Sequence, residues 1–249
     1  MLRRLLLTAL VLATLTTSAH AAELLVSAAA SLTNAFTDIE AAYEKAHPGT
    51  DVVMNFAASG ALYRQIEQGA PVDVYASANQ KWMNSAVDNG FAVKESRVDF
   101  ARNALVLAVP AANPAGVSSV KDLLGDKVTK VAIGTPKTVP AGQYAKGALE
   151  KMGLWEKLEP KYIYGESVRQ VLDYLMRGEV DAGFVYGTDA VQGGKDVKTM
   201  TEVELEKPVT YPIATMKKAP NPEGAKEFLA FVLGSEGQKI LSSYGFKRP

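Results

Sequence analysis

The sequence is 249 residues long, 47% apolar and 22% charged, with 27 basic and 27 acidic side chains and a formal net charge of zero. That length suits one large domain or two lobes of ordinary size, and the charge balance gives no basic excess to draw in nucleic acid or an anionic membrane. Cysteine is absent and the only histidines are His20 and His47, so disulfides, a lipid-anchoring cysteine and a cysteine–histidine metal site all lack their parts.

The chain opens with Arg3-Arg4, an apolar run from Leu5 to Leu15, then Thr16-Thr17-Ser18 and the small-x-small triplet Ala19-His20-Ala21. This is the order of a secretory signal peptide over residues 1–21, cleaved after Ala21 or Ala22. The apolar run is shorter than a membrane span requires. Without Arg3 and Arg4, 25 basic residues face 27 acidic ones, a formal charge of −2. His47 is then the single histidine, which leaves a Ser-His-Asp triad short of parts and weakens most hydrolase readings. A free periplasmic protein fits these features best.

After the leader, strand and helix signals alternate, as expected of α/β layers. Leu24-Leu25-Val26 reads as a buried strand, and Leu32, Ala35, Phe36, Ile39 and Tyr43 fall on one helix face. Asp51 to Phe56 is a second strand, followed by a helix carrying Ala61, Leu62, Gln65 and Ile66 that stops at Gly69. Pro71 to Ala76 is the next strand, and Trp82, Met83, Ala86 and Val87 mark a third helix. Asn103 to Pro110 is apolar on both faces, as expected of a central, fully covered strand, and reads as a crossing into a second lobe.

Within that lobe the pattern gives a short helix over 118–124, a strand over 130–133, and a helix starting near Pro140 with Tyr144, Ala145, Ala148 and Leu149 inside. Glu166-Ser167-Val168-Arg169 opens another helix, and the strand from Val180 delivers Tyr186 at its C-terminal end. Glu202, Glu204 and Glu206 alternate as on one solvated strand face. Pro208 to Thr215 reads as the return crossing, and helices over 222–233 and 235–244 complete the first lobe. The expected division is therefore lobe 1 over 22–102 plus 215–249 and lobe 2 over 103–214, joined by a two-strand hinge that closes on a ligand.

One device recurs: a strand, small residues, then a helix start. It occurs at Ala28-Ala29-Ala30-Ser31, at Ala57-Ala58-Ser59-Gly60, at Pro140-Ala141-Gly142 and at Ser167-Val168. Helix starts present free N–H groups and a positive dipole end, which favour an anion, and in open α/β sheets ligands sit at the carboxyl ends of strands. Neutral donors at fixed distances select an oxyanion by size, and they disfavour one that carries its own proton. Each residue also has a plainer reading. Ser31 and Ser59 fit ordinary N-caps, and Tyr186 fits a core tyrosine with a satisfied hydroxyl. Val168 fits an inward-packed first-turn residue, Trp82 and Trp155 fit core or lobe-surface positions, and Arg169 fits a position on the surface or just behind the ligand contacts, near the site but not touching the ligand.

Taken together, six segments resemble the periplasmic molybdate-binding proteins of bacterial molybdate ABC importers, over essentially the whole mature chain. They are Ala28-Ala-Ala-Ser-Leu-Thr-Asn34, Phe56-Ala-Ala-Ser-Gly60, Gly69-Ala-Pro-Val-Asp73, Val139-Pro-Ala-Gly-Gln-Tyr-Ala145, Ser167-Val-Arg-Gln170 and Val185-Tyr-Gly-Thr-Asp-Ala190. The resemblance implies an α/β bilobal periplasmic-binding-protein fold and an oxyanion site made by Ser31 and Ser59 (hydroxyl and N–H), Ala141 and Val168 (N–H), and Tyr186 (hydroxyl). It implies molybdate or tungstate as ligand, with molybdenum held as the anion and not as a bare cation. It further implies no catalysis, no cofactor, a monomer, and delivery to an inner-membrane permease with a cytoplasmic ATPase. Three alternatives stay open at this point: a different oxyanion such as sulfate or phosphate, a secreted carboxylate-dependent enzyme, and a ligand-free adaptor of the same fold.

Overall fold

The computed structural model describes residues 22–249; the signal peptide expected over 1–21 lies outside the described residues. Strand β1 (Ala22–Ala29) buries Leu24, Val26, Ala28 and Ala29, as a parallel strand covered on both faces must. A 3-10 turn, Ala30–Leu32, leads into α1 (Thr33–Ala46), whose inner face is Ala35, Phe36, Ile39 and Tyr43. The unit repeats as β2 (Thr50–Ala57) with α2 (Ser59–Glu67) and as β3 (Val74–Ala76) with α3 (Gln80–Asp88). Strand β4 (Val98–Asn103) then hands over to β5 (Leu105–Pro110), which is buried along its whole length.

The chain continues through β6 (Val131–Gly134), α4 (Pro140–Lys151), the single turn α5 (Trp155–Leu158), β7 (Tyr162–Gly165) and α6 (Val168–Met176). After these come β8 (Ala182–Tyr186), α7 (Gly187–Gln192) and β9 (Val197–Glu202). The last elements are β10 (Val209–Thr215), α8 (Pro222–Leu233) and α9 (Ser235–Ser243).

Among the described residues the strands form two five-stranded sheets, ordered β2-β1-β3-β10-β4 and β7-β6-β8-β5-β9. The two share one plan. In the first, β1 is parallel to β2 and β3, and β10 runs antiparallel between β3 and β4. In the second, β6 is parallel to β7 and β8, and β5 runs antiparallel between β8 and β9. The chain passes between sheets at Asn103–Ala104 and again through residues 203–208, and Val203 N–H donates to Leu105 O (2.8 Å), tying the two passages together. That is a two-stranded hinge.

Two expected boundaries move. Residues 209–214, assigned from sequence to the second lobe as a return crossing, form β10 inside the first sheet. Pro212 suggests a connector in the sequence, but it sits where the register shifts beside Tyr211, so its missing N–H breaks no regular ladder. Asn103 to Pro110 is a covered strand, as expected, from Leu105 onward, and the crossing is confined to its first two residues.

The first lobe's core is aromatic. Phe36 packs on Phe100 and Phe228 with ring centroids 5.8 and 6.3 Å apart, and Tyr43 meets Phe228 edge-on at 5.2 Å. The buried Asp73 carboxylate accepts from Leu25 N–H (2.7 Å) and Asn221 N–H (2.6 Å), anchoring β1 to the chain entering α8. In the second lobe α4 lies so close on β6 that a Cβ at Gly142 would stand 1.8 Å from Gly134 O.

Candidate functional site

The five expected site residues come from five segments and line one small cavity of about 10 Å³ between the lobes. Ser31 follows β1, Ser59 follows β2, Ala141 follows β6, Val168 follows β7, and Tyr186 ends β8. The sheets thus aim their carboxyl ends at one another. The remaining lining residues are alanines, Val139 and Pro140; no charged side chain faces the space.

Neither serine is a helix cap. Ser31 sits inside the 3-10 turn, where no side-chain cap bond forms, and its Oγ lies 3.0 Å from Tyr211 OH. Ser59 is the first residue of α2; its Oγ accepts from Ala78 N–H (3.0 Å), and its carbonyl accepts from Tyr75 OH (2.8 Å). Ala141 and Val168 are the second and first residues of α4 and α6, so their amides lie in the first turn, where the helix offers them no carbonyl. Ser167 caps α6 by accepting from Gln170 N–H (3.2 Å), and this cap sets how the first turn faces the cavity. Val168 is also buried, so its side chain packs inward while its amide stays at the helix end.

Tyr186 departs from an ordinary core tyrosine: its hydroxyl is buried and has no hydrogen-bond partner among the described residues. Burial pushes its pKa well above the usual phenol value, so it is a donor at neutral pH. A small space with hydroxyl and amide donors and no full charge suits a small anion rich in acceptor oxygens. Among the described residues no group of three or more His, Cys, Asp or Glu is placed to hold a metal ion, and none of the helices is long and apolar enough to cross a membrane.

Three contacts hold the lobes together around the cavity. Gly60 N–H donates to Thr138 O (3.0 Å), Asn79 Nδ2 donates to Gln143 Oε1 (2.7 Å), and Arg169 donates to Asn34 Oδ1 (2.7 Å) and Ser31 O (3.2 Å). Gly60 has no room for a side chain: a Cβ there would lie 2.6 Å from the Trp82 ring and 2.7 Å from Thr138 O. Trp82 is therefore the wall behind this contact as well as a core residue.

Arg169, read from sequence as a residue on the surface or just behind the ligand contacts, is of the second kind and also bridges the lobes. Its Nε lies 2.8 Å from Oδ1 of the fully buried Asp189, though not aligned as a hydrogen bond. Burial pushes the Asp189 pKa up to about 6, against the opposing pull of Arg169. The guanidinium charge is matched by this carboxylate and does not face the cavity. Sequence reasoning gave no site role to Tyr211, Asn103 and Ala78, which hold the two serines in place, although Asn103 and Tyr211 lay inside the two segments read as crossings.

Two lobes, each a mixed sheet with helices, joined by two adjacent strands and closed over a small donor-lined space, have the architecture of binding proteins that shut on a solute. The chain belongs to the bacterial extracellular solute-binding protein family, whose profile it matches over residues 24–247. It is 42% identical over 232 residues to the molybdate-binding protein ModA of Escherichia coli, covering 89% of this chain and 87% of that protein. It is 38% identical over 224 residues to a putative ABC transporter substrate-binding lipoprotein of Bacillus subtilis, covering 90% of this chain and 85% of the relative. Among solved structures, the substrate-binding domain of a putative molybdenum ABC transporter from Clostridium difficile superposes with a TM-score of 0.69 at 39% identity, over 92% of this chain and 99% of that one. The Azotobacter vinelandii periplasmic molybdate-binding protein superposes with a TM-score of 0.80 at 25% identity, over 91% and 99%.

Proposed function

We propose that this protein captures molybdate, and tungstate by the same contacts, between its lobes outside the cytoplasm and delivers it to an ABC importer. The observation that carries this reading is the convergence of two serine hydroxyls, the first-turn amides and the unpartnered Tyr186 hydroxyl on a space with no charged lining. A fully deprotonated tetrahedral anion uses every one of those donors and asks for no acceptor in return. Relatives named for molybdate at 38–42% identity support the choice of anion. In this reading Ser31, Ser59, Ala141, Val168 and Tyr186 are the ligand contacts, residues 1–21 direct export to the periplasm, and an inner-membrane permease with its ATPase receives the closed form. No catalytic step and no cofactor enters it, and the protein acts as a monomer.

A thermal-unfolding series on residues 22–249 with molybdate, tungstate, sulfate and phosphate tests the proposal. A ligand bound only by the folded state adds about 4 kcal/mol at a thousandfold excess over Kd. Large upward shifts with molybdate and tungstate, and none with the other two, are expected. A shift with sulfate or phosphate alone overturns the choice of anion, and no shift with any of the four overturns the oxyanion reading itself.

A further inference from the structure

The Ser31 hydroxyl is the cavity end of a row of hydrogen-bonding groups that starts at the hinge. Asn103, the last residue of β4, accepts Ala104 N–H at Oδ1 (2.9 Å), which fixes the orientation of its amide. Its Nδ2 then donates to Thr188 Oγ1 (2.8 Å) and to Tyr211 OH (3.3 Å). The Tyr211 hydroxyl in turn lies 3.0 Å from Ser31 Oγ. An amide nitrogen cannot accept, so Tyr211 receives from Asn103 at one lone pair; the contact with Ser31 Oγ admits either donor, and the direction that gives the Tyr211 proton an acceptor runs from Tyr211 to Ser31. Ser31 is then filled as an acceptor on that side, and its proton has no protein partner left but the cavity. Burial raises the Tyr211 pKa far above that of a free phenol, so the proton it passes on is always present.

The second serine is arranged alike by other means. Ala78 N–H, also a donor only, fills Ser59 Oγ from behind (3.0 Å) and leaves the Ser59 proton free. We propose that Asn103 and Tyr211 are specificity-determining positioning residues, which orient the row Asn103 to Tyr211 to Ser31 so that Ser31 meets the ligand as a donor. The inference rests on the oxyanion reading above and deepens it. An anion bearing an O–H, such as hydrogen phosphate, brings a proton to a place where the serine proton already points.

The test is a double-mutant cycle on residues 22–249 with Asn103→Asp, Tyr211→Phe and the pair, with affinities for molybdate by calorimetry and for hydrogen phosphate and sulfate by competition. Asn103→Asp keeps the shape and the acceptor for Ala104 N–H but replaces a donor by an acceptor. The Tyr211 proton then turns back toward position 103, and Ser31 must donate to Tyr211 instead of to the ligand. Molybdate affinity is expected to fall at least about tenfold with Tyr211 present and under about threefold on the Tyr211→Phe background, where the row is already cut. The added negative charge acting alone would weaken both backgrounds equally.

Tyr211→Phe by itself is expected to narrow the preference for molybdate over hydrogen phosphate by about tenfold while leaving the ratio to sulfate, which also lacks a proton, nearly unchanged. A merely structural Tyr211 would lower all three affinities together. Equal losses in both backgrounds, or an unchanged molybdate-to-phosphate ratio in Tyr211→Phe, overturn the row and leave the oxyanion reading standing. A wild type that binds none of these anions overturns both. Should Asn103→Asp fail to fold, the ratio measured in Tyr211→Phe decides alone.

Discussion

Tyr186 holds a buried hydroxyl that no protein group answers. Its removal strands nothing in the ligand-free protein, because an unpaired buried polar group is itself a cost. Tyr186→Phe is therefore expected to keep or slightly raise the thermal midpoint of the empty protein while weakening molybdate about tenfold or more. Unfolding and calorimetry on the same sample check both halves, and a drop in the empty protein's midpoint would mean that the hydroxyl is satisfied after all. The residues of the site differ in how far sequence betrays them. Ser31 and Ser59 stand out because small residues flank a serine at a strand-to-helix junction. In the proposed site Ala141 and Val168 contribute backbone amides, which leave no mark on side-chain choice, so the sequence singles out their helix starts and only the family resemblance assigns them a role. Tyr211 and Asn103 follow no local pattern. They lie 180 and 72 positions from Ser31 along the chain and meet it only because β10 pairs with β3 and β4.

At the scale of elements, α4 offers an internal comparison between two glycines one helical turn and a residue apart. A Cβ at Gly142 would meet Gly134 O at 1.8 Å, whereas one at Gly147 meets nothing within 4 Å. Gly142→Ala is expected to force α4 off β6 and cost about 1–3 kcal/mol, and Gly147→Ala to gain about 0.5–1 kcal/mol by improving helix propensity. Denaturant midpoints of the two variants measure both, and equal effects would refute the packing argument. The same scale explains which strands the sequence hides. Apart from the edge strand β2, the expected strands were the covered ones. Strands β4, β7 and β9, which the pattern did not reveal, are sheet edges with alternating or mixed exposure and no apolar run longer than the three residues Tyr162–Tyr164. The alternating Glu202, Glu204 and Glu206 divide between the end of β9 and the hinge passage, so they share no strand face.

For the whole molecule, closure depends on Gly60 lying flat between Trp82 and Thr138. A methyl group at that position cannot fit against a backbone carbonyl of the other lobe at 2.7 Å. Gly60→Ala is expected to hold the lobes apart, reducing molybdate affinity about tenfold and abolishing the ligand-induced fall in radius of gyration seen by small-angle scattering. A full contraction in that variant would show that the cleft yields at this point. The two-lobe plan and the hinge were legible in the alternation of elements, since each lobe repeats the strand–helix unit. The return boundary was not, because Pro212 in a bulged central strand looks like a connector until its neighbours are known.

No charged side chain lines the cavity, and this reaches beyond selectivity. Residues 22–249 carry 25 basic and 27 acidic side chains, a formal charge of −2. A dianion held only by neutral donors adds its charge undiminished, so loading roughly doubles the molecule's formal charge while hardly altering its mass. Empty and filled forms then migrate differently in a native electric field, and occupancy can be counted directly as two bands.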